Sequence, residues 1–334
     1  MDKAKVAIIG FGKMGVLHGA LVNATGLGEV VAIVDKDRRL LKALNELFRN
    51  KVRVTDNIEE LRDIGVDVVF ITTPIPSHYS IAMEVLKLNA KGLFIEKTLT
   101  DSTDKSNKLL NTIGNGVIGV VGFQKRFIPT FRKLKDLIQN VSLNEIRSIR
   151  AYAYSEDFLG VRGAPGLLGP RGGVLRDLGS HAVDLLLWLL NAKDASIINM
   201  GIVRTEDAPC GEVQINALIN GVDATISTSW CKEGFRVPEV GISVITDREE
   251  VFVNDYEIVI RRDNTVEKTY EAQLEEPVRY LLGAPEYYRE DEAFLRSVVA
   301  GNTALDCASF RDGVLVDWFI DEALRVYNAH TSGR

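Results

Sequence analysis

Two spacings alternate over the first 123 residues. Short β-branched runs, KVAIIG (5–10), EVVAIVD (29–35), VDVVFITT (66–73), GLFIEK (92–97) and VIGVVGF (117–123), are separated by segments of helical period: KMGVLHGALVNA, RRLLKALNELFR, IEELRDIG, SHYSIAMEVLKLN and STDKSNKLLNTI. A strand that is apolar at every position must be covered on both faces, and helices between such strands supply the cover. This alternation predicts an α/β domain over 1–123, with a doubly wound parallel sheet.

The remaining chain has a different texture. PTFRKLKDLIQNV reads as a helix and EIRSIRAYAYSEDF alternates like a half-buried strand. A Gly/Pro-rich loop, GAPGLLGPRGG (163–173), precedes the helical stretch GGVLRDLGSHAVDLLLWLL (172–190). From 196 onward strand candidates follow one another, joined by Asn220-Gly221, Thr246-Asp247 and Asn254-Asp255, turn signals that favour hairpins. A second domain over 124–334 is predicted, an α+β fold with a large, mostly antiparallel sheet. Its helical tail, 285–329, ends in a helix that can pack back on the first domain.

Composition narrows the function classes. With 46% hydrophobic and 26% charged residues in 334, the chain has apolar material for two cores, and its net charge of −6 comes from interspersed acids and bases. No clustered basic face marks a nucleic-acid partner. The longest apolar run, LLLWLL at 185–190, is far short of the ~20 residues of a membrane span. The N-terminal segment enters a strand-like run at once, without a secretory h-region, and a cytoplasmic location is expected. Cys210, Cys231 and Cys307 lack CxxC spacing and read as small buried apolar residues, with no metal site implied.

GFGKMG, residues 10–15, closes the first strand and opens the first helix. In that setting Gly10 permits the tight turn, Gly12 lets backbone N–H groups approach a pyrophosphate, and Gly15 lets the helix sit against the sheet. Phe11, Lys13 and Met14 complete the loop, and the helix N-terminus favours an anion. Asp35 ends the second strand, twenty residues after Gly15, where a carboxylate hydrogen-bonds ribose hydroxyls. It repels a 2′-phosphate, which favours NAD over NADP, although Lys36, Arg38 and Arg39 nearby could accommodate one. The pattern predicts a Rossmann dinucleotide-binding domain.

Glu96 and Lys97 fall at the carboxyl end of a parallel strand, the edge at which open α/β sheets bind ligands. In the long helical stretch, Asp177, His181 and Asp184 interrupt an apolar sequence. At roughly 100° per residue, His181 lies about 40° round from Asp177 and Asp184 about 20° from it. Burying two carboxylates and an imidazole on one stripe is costly unless they are paired or face a wet cleft. A carboxylate one turn before a histidine can set its tautomer and raise its basicity.

GFGKMG, Asp35, TTPIPSH, GLFIEKT, GFQKRF and GGVLRDLGSHAVD together resemble the glucose–fructose oxidoreductase / inositol dehydrogenase (Gfo/Idh/MocA) family, in architecture over essentially the whole chain. That family carries a glutamate–lysine–proline motif after the fifth strand and D-x-x-x-H on a helix of the second domain. The resemblance implies that Lys97, Asp177 and His181 are catalytic, and that Thr73, Pro74, His78, Glu96 and Gln124 lie near the cofactor with the glycine loop and Asp35. Thr98 stands where proline is usual.

The expected activity is NAD-dependent hydride transfer between nicotinamide and a secondary alcohol or ketone of a sugar, polyol or cyclitol. His181 moves the proton, Asp177 supports it, and Lys97 holds the same oxygen. Arg126 and Tyr154 are candidate substrate contacts. A homodimer or homotetramer through the second-domain sheet is expected, on an open face carrying Trp230, Val251 and Val253. Two other readings remain open at this point: an NAD-binding regulator without turnover, and a reductase of a non-sugar carbonyl or imine.

Overall fold

A computed structural model describes residues 3–49, 51–114, 116–159, 172–203, 212–274, 284–302, 304 and 306–332. In chain order its strands are β1 Ala4–Ile9, β2 Gly28–Val34, β3 Arg53–Thr55, β4 Val68–Ile71, β5 Gly92–Glu96, β6 Ile118–Gly122, β7 Ile146–Tyr154, β8 Ala195–Val203, β9 Glu212–Ile219, β10 Val222–Ser229, β11 Glu239–Thr246, β12 Glu250–Asn254, β13 Glu257–Arg262, β14 Thr265–Tyr270 and β15 Ala308–Ser309. The α-helices are α1 Lys13–Thr25, α2 Arg38–Phe48, α3 Leu61–Ile64, α4 His78–Val85, α5 Thr103–Thr112, α6 Pro129–Gln139, α7 Ser180–Leu189, α8 Pro285–Ala300 and α9 Phe310–Ser332.

The chain divides into two compact units, 1–124 with 282–317, and 125–281 with 318–334. The first break falls between Gln124 and Lys125. α8, β15 and the start of α9 belong to the first unit. Asp291, Phe294 and Leu295 on α8 are fully buried, and α8 packs on α1. The spacing of Tyr287, Asp291 and Phe294 puts one α8 face against that helix.

The first unit holds a seven-stranded sheet in the order β15-β6-β5-β4-β1-β2-β3, parallel except for β15 against β6. This is the doubly wound order, with the chain reversing direction across the sheet beside β1. Val68, Val69, Phe70 and Ile71 of β4 have no exposed surface, as a strand covered on both faces requires. Two short strands, β3 and β15, carry too few residues to show a period.

The second unit holds an eight-stranded sheet in the order β14-β13-β12-β11-β7-β10-β9-β8, antiparallel except for β10 beside β7. Asn220 and Gly221 both have positive φ, 50° and 81°, the geometry of a two-residue hairpin turn between β9 and β10. Helices α6 and α7 pack on one face, over β7, β11 and β12. Ile149, Ala151, Ala153, Val240, Ile242, Val251 and Val253 are buried. Arg150, Tyr152, Tyr154, Gln214, Thr225, Ser227 and Ser243 line an open depression of about 430 Å³.

The open face therefore differs from expectation. Trp230, Val251 and Val253 belong to the buried interior, with 2%, 4% and 0% exposure, because their positions alternate toward the helix-covered side. Cys231 departs as well, being disulfide-bonded, whereas Cys307 is a free, buried thiol. Cys210 and residues 163–171 of the Gly/Pro loop lie outside the described residues.

Candidate active site

In the first unit, the parallel strands bring Gly10, Asp35, Thr73, Lys97 and Gln124 to one edge, since each directly or closely follows the carboxyl end of β1, β2, β4, β5 or β6. Gly10 has φ +92°, a left-handed conformation that a side chain would strain, and a Cβ on it would meet Thr73 Cγ2 at 2.6 Å. A Cβ on Gly15 would sit 2.1 Å from the Gly10 carbonyl oxygen. The loop and α1 are in direct contact.

A Cβ on Gly12 would meet nothing within 4 Å, so open space lies over the loop. Gly12 caps α1 with no side-chain hydrogen bond, and no acidic residue lies in the first turn. Helical N–H groups there lack a side-chain acceptor, which suits an anionic pyrophosphate. Lys13 is exposed and Met14 half-buried at this end, while the Phe11 ring packs against Ile33, Leu41, Leu44 and Val54.

Asp35 braces the loop: Oδ2 accepts the Phe11 N–H at 2.7 Å and Oδ1 accepts the Asp37 N–H at 2.9 Å. Each oxygen retains a second lone pair for a ribose hydroxyl. Lys36, Arg38 and Arg39 are exposed, with Arg38 3.8 Å from Asp56. The donor set and the open space fit NAD.

Thr72 Oγ1 donates to the Gly10 carbonyl at 2.6 Å, and Ser77 Oγ donates to the Pro74 carbonyl at 2.7 Å and lies 2.8 Å from Thr73 Oγ1, which ties the Thr73-Pro74 turn to the glycine loop. His78 is fully buried, its Nδ1 2.9 Å from the Thr98 carbonyl and its Nε2 2.8 Å from the Thr73 carbonyl. Burial lowers its pKa below the ordinary value. With both nitrogens facing backbone oxygens, His78 holds two edge loops together.

Glu96 is engaged by protein groups as well. One carboxylate oxygen lies 2.9 Å from His18 Nε2 and the other accepts the Lys97 N–H at 3.1 Å. Its carboxylate faces protein, and Lys97, half-buried, is the residue that leaves the strand end. The Lys97–Thr98 peptide is cis. Beyond it, Thr98 Oγ1 donates to the Thr100 carbonyl at 2.7 Å, and Asp317 accepts the Thr100 N–H at 3.0 Å. Gln124, buried, donates from Nε2 to Tyr287 Oη at 2.9 Å.

The sequence pattern does not single out His18, Tyr287 or Asp291, which the fold brings together here. His18 Nδ1 lies 2.8 Å from Asp291 Oδ1, and its ring is surrounded by Phe70, Phe94 and Tyr287 at centroid distances of 5.5, 5.0 and 6.0 Å. Burial alone would keep this imidazole neutral, but Asp291 and Glu96 outweigh it and raise its pKa well above 6.5. The one signal in the sequence is a histidine in a helix otherwise rich in Gly, Ala, Val and Leu. Nothing local pairs it with an acid 273 residues away.

In the second unit, the stretch expected to be one α-helix begins as a π-helical turn, Leu175–Gly179, and continues as α7. The wider turn carries Asp177, half-buried, directly ahead of His181 in the first turn of α7, which is 6% exposed. Such insertions alter the phase of a helix where function needs it. Close approach helps to position the turn: a Cβ on Gly179 would meet Thr228 Cγ2 at 3.2 Å.

Asp184 does not share that setting. Arg126 clamps it with Nε to Oδ2 at 2.8 Å and Nη2 to Oδ1 at 2.6 Å, both side chains almost fully buried. Arg126, expected as a substrate contact, is thus engaged in an internal ion pair beside the Trp188 ring, 5.7 Å from its centroid. Tyr154 is corrected too. It stacks on Tyr152 at 4.9 Å and donates to Glu212 at 2.7 Å on the open sheet face, opposite the face that α7 covers. At the other end of α7, Lys135 Nζ donates to the Trp188 carbonyl, to the Leu189 carbonyl at 3.3 Å and to Asn191 Oδ1 at 2.7 Å, satisfying oxygens left over by the helix.

Among the described residues, no helix is long and apolar enough to cross a membrane, and no cluster of three or more His, Cys, Asp or Glu could hold a metal ion.

Comparison with known proteins agrees with this layout. Residues 4–118 match the family described as "Oxidoreductase family, NAD-binding Rossmann fold", and residues 131–248 match the "GFO/IDH/MocA C-terminal domain". A scyllo-inositol 2-dehydrogenase (NAD(+)) from Bacillus subtilis is 28% identical over 207 residues, 60% of this chain and 57% of that protein. The chain thus spans less than two thirds of that relative's length. A myo-inositol 2-dehydrogenase from Thermotoga maritima is 22% identical over 89% of both chains. The fold of a levoglucosan dehydrogenase solved with NADH and L-sorbose superposes with a TM-score of 0.82 at 19% identity, covering 98% of this chain and 97% of the other. The chain belongs to the GFO/IDH/MocA oxidoreductase family, with an NAD-binding Rossmann domain at its N-terminal end.

Proposed function

We propose that the protein transfers a hydride between NAD and a secondary alcohol or ketone of a sugar, polyol or cyclitol. The observation that carries this reading is a buried histidine, His181, opening a helix directly after a π turn that bears Asp177, in a chain whose other unit is an NAD-binding Rossmann domain. The named activities of the inositol and levoglucosan dehydrogenases above support the substrate class.

NAD, when bound, supplies the hydride acceptor. The glycine loop and the N-terminus of α1 hold its pyrophosphate, and Asp35 receives the adenosine ribose hydroxyls. His181 takes the proton of the substrate hydroxyl in oxidation and returns it in reduction, as a general base and acid. Asp177 stabilises the protonated ring. Lys97 donates a hydrogen bond from its ammonium to the same substrate oxygen and steadies the charge that develops there.

Homo-oligomerisation through the second-unit sheet belongs to the same reading. Its support is the depression on the sheet face opposite α6 and α7, lined by Tyr152 and Tyr154, and sedimentation of the purified protein tests it: a monomer at micromolar concentration would refute it.

The activity is tested by incubating the protein with NAD and a panel of inositols, sugars and polyols while following NADH fluorescence. NADH production on at least one member is expected. Tight NAD binding without turnover, in either direction and with any member, would replace the enzyme by an NAD-binding regulator.

A further inference from the structure

At the carboxyl end of β5 the Rossmann unit contains a buried relay that the NAD site and the proton transfer do not use. His18, three residues past Gly15 on α1, is fully enclosed. Its Nδ1 lies 2.8 and 3.0 Å from the two Asp291 oxygens on α8, and its Nε2 lies 2.9 Å from Glu96 Oε1. The other Glu96 oxygen accepts the Lys97 N–H at 3.1 Å. A continuous chain of hydrogen bonds therefore runs Asp291–His18–Glu96–Lys97, from a helix at the far end of the sequence to the backbone that presents the lysine.

The chemistry of the relay is one-directional. With both acids ionised, each ring nitrogen faces an acceptor and the protonated ring supplies both donors, while burial raises the Asp291 pKa as well. A charge-assisted bond at each end allows the Glu96 carboxylate one orientation, and Phe70, Phe94 and Tyr287 close the remaining space around the ring. Burying such a charge is worthwhile only if both bonds are made, so loss of one partner disturbs the other.

We propose that His18 is a positioning residue for Lys97: held by Asp291, it fixes Glu96, and Glu96 fixes the strand end from which the lysine ammonium reaches substrate. This inference rests on the function proposed above for Lys97. Asp291 acts one step further back, and its return to the first unit through α8 gives that helix a part in the chemistry.

The test is a double-mutant cycle between His18→Gln and Lys97→Ala, with Asp291→Asn as the milder variant that keeps shape and hydrogen bonding while removing charge. In the wild-type background, His18→Gln lowers kcat about tenfold to a hundredfold, as misplacement of a distant catalytic group does, with the NADH dissociation constant unchanged. In the Lys97→Ala background the same substitution has no further effect on kcat, because its route is already cut. Equal losses in both backgrounds, or a fall in thermal stability with kcat intact, would overturn the proposal.

A second readout is independent of turnover. The lysine side-chain NMR signal that disappears in Lys97→Ala reports the ammonium's surroundings, and it shifts in both His18→Gln and Asp291→Asn. A folded variant pair with that signal unmoved refutes the relay. Variants that move the signal, beside a wild-type protein that turns over no member of the panel, uphold the relay and refute the dehydrogenase reading instead.

Discussion

Arg126 and Asp184 form a two-bond clamp inside the second unit, at 2.8 and 2.6 Å, with 2% and 1% of their side chains exposed. The clamp removes Asp184 from the stripe it shares with Asp177 and His181 in the sequence. Asp184→Ala would remove both charge-assisted bonds it accepts from a buried guanidinium, a loss of about 3–5 kcal/mol of stability. Urea unfolding measures it. A midpoint close to wild type would mean that the clamp contributes nothing net.

Gly12 separates folding from cofactor binding. A Cβ there meets no protein atom within 4 Å, so Gly12→Val is expected to fold with an unchanged Tm. The branched side chain fills the space over the N-terminus of α1, and the NADH dissociation constant rises by at least about tenfold through loss of the close backbone approach. Fluorescence titration decides it: wild-type affinity in the variant would put the pyrophosphate elsewhere.

Asp35 is expected to set the choice of dinucleotide. Its two oxygens brace the loop through Phe11 and Asp37, and the same negative charge repels a 2′-phosphate. NAD is expected to exceed NADP in kcat/KM by at least about tenfold, and Asp35→Ser to narrow the gap, with exposed Arg38 and Arg39 available to the phosphate. Steady-state kinetics with both dinucleotides test this, and an unchanged ratio in the variant would clear Asp35 of the role.

The His18 relay gives stability a pH dependence of definite sign. Burial opposes the charge on His18, yet Asp291 and Glu96 raise its pKa well above the ordinary 6.5. The stabilisation is therefore complete below 6.5 and is lost as pH climbs through the raised folded value. His18→Gln should be less stable than wild type at neutral pH and converge with it on the alkaline side. Urea midpoints across that window measure the effect, and parallel profiles would show that the ring carries no charge in the fold.

Much of this is legible in the sequence because it depends on local pattern. Fully apolar strand runs, the GFGKMG turn and the Asn220-Gly221 hairpin each carry their structural cause within a few residues. What escapes the sequence depends on partners distant along the chain. Arg126 finds Asp184 across 58 residues and His18 finds Asp291 across 273, and no spacing rule links either pair. The π turn at Leu175–Gly179 is hidden for another reason: its residues fit an α-helix equally well, and the preference lies in packing against β10. Alternation correctly places Tyr152 and Tyr154 on one face, but only the position of α6 and α7 says which face is open.

The central claim is proton transfer by His181, and turnover of His181→Ala with saturating NAD and the best polyol of the panel tests it most directly. The account predicts a kcat reduced by about a hundredfold to ten-thousandfold, the usual contribution of a general base, with NADH affinity unchanged. Turnover equal to wild type would contradict it.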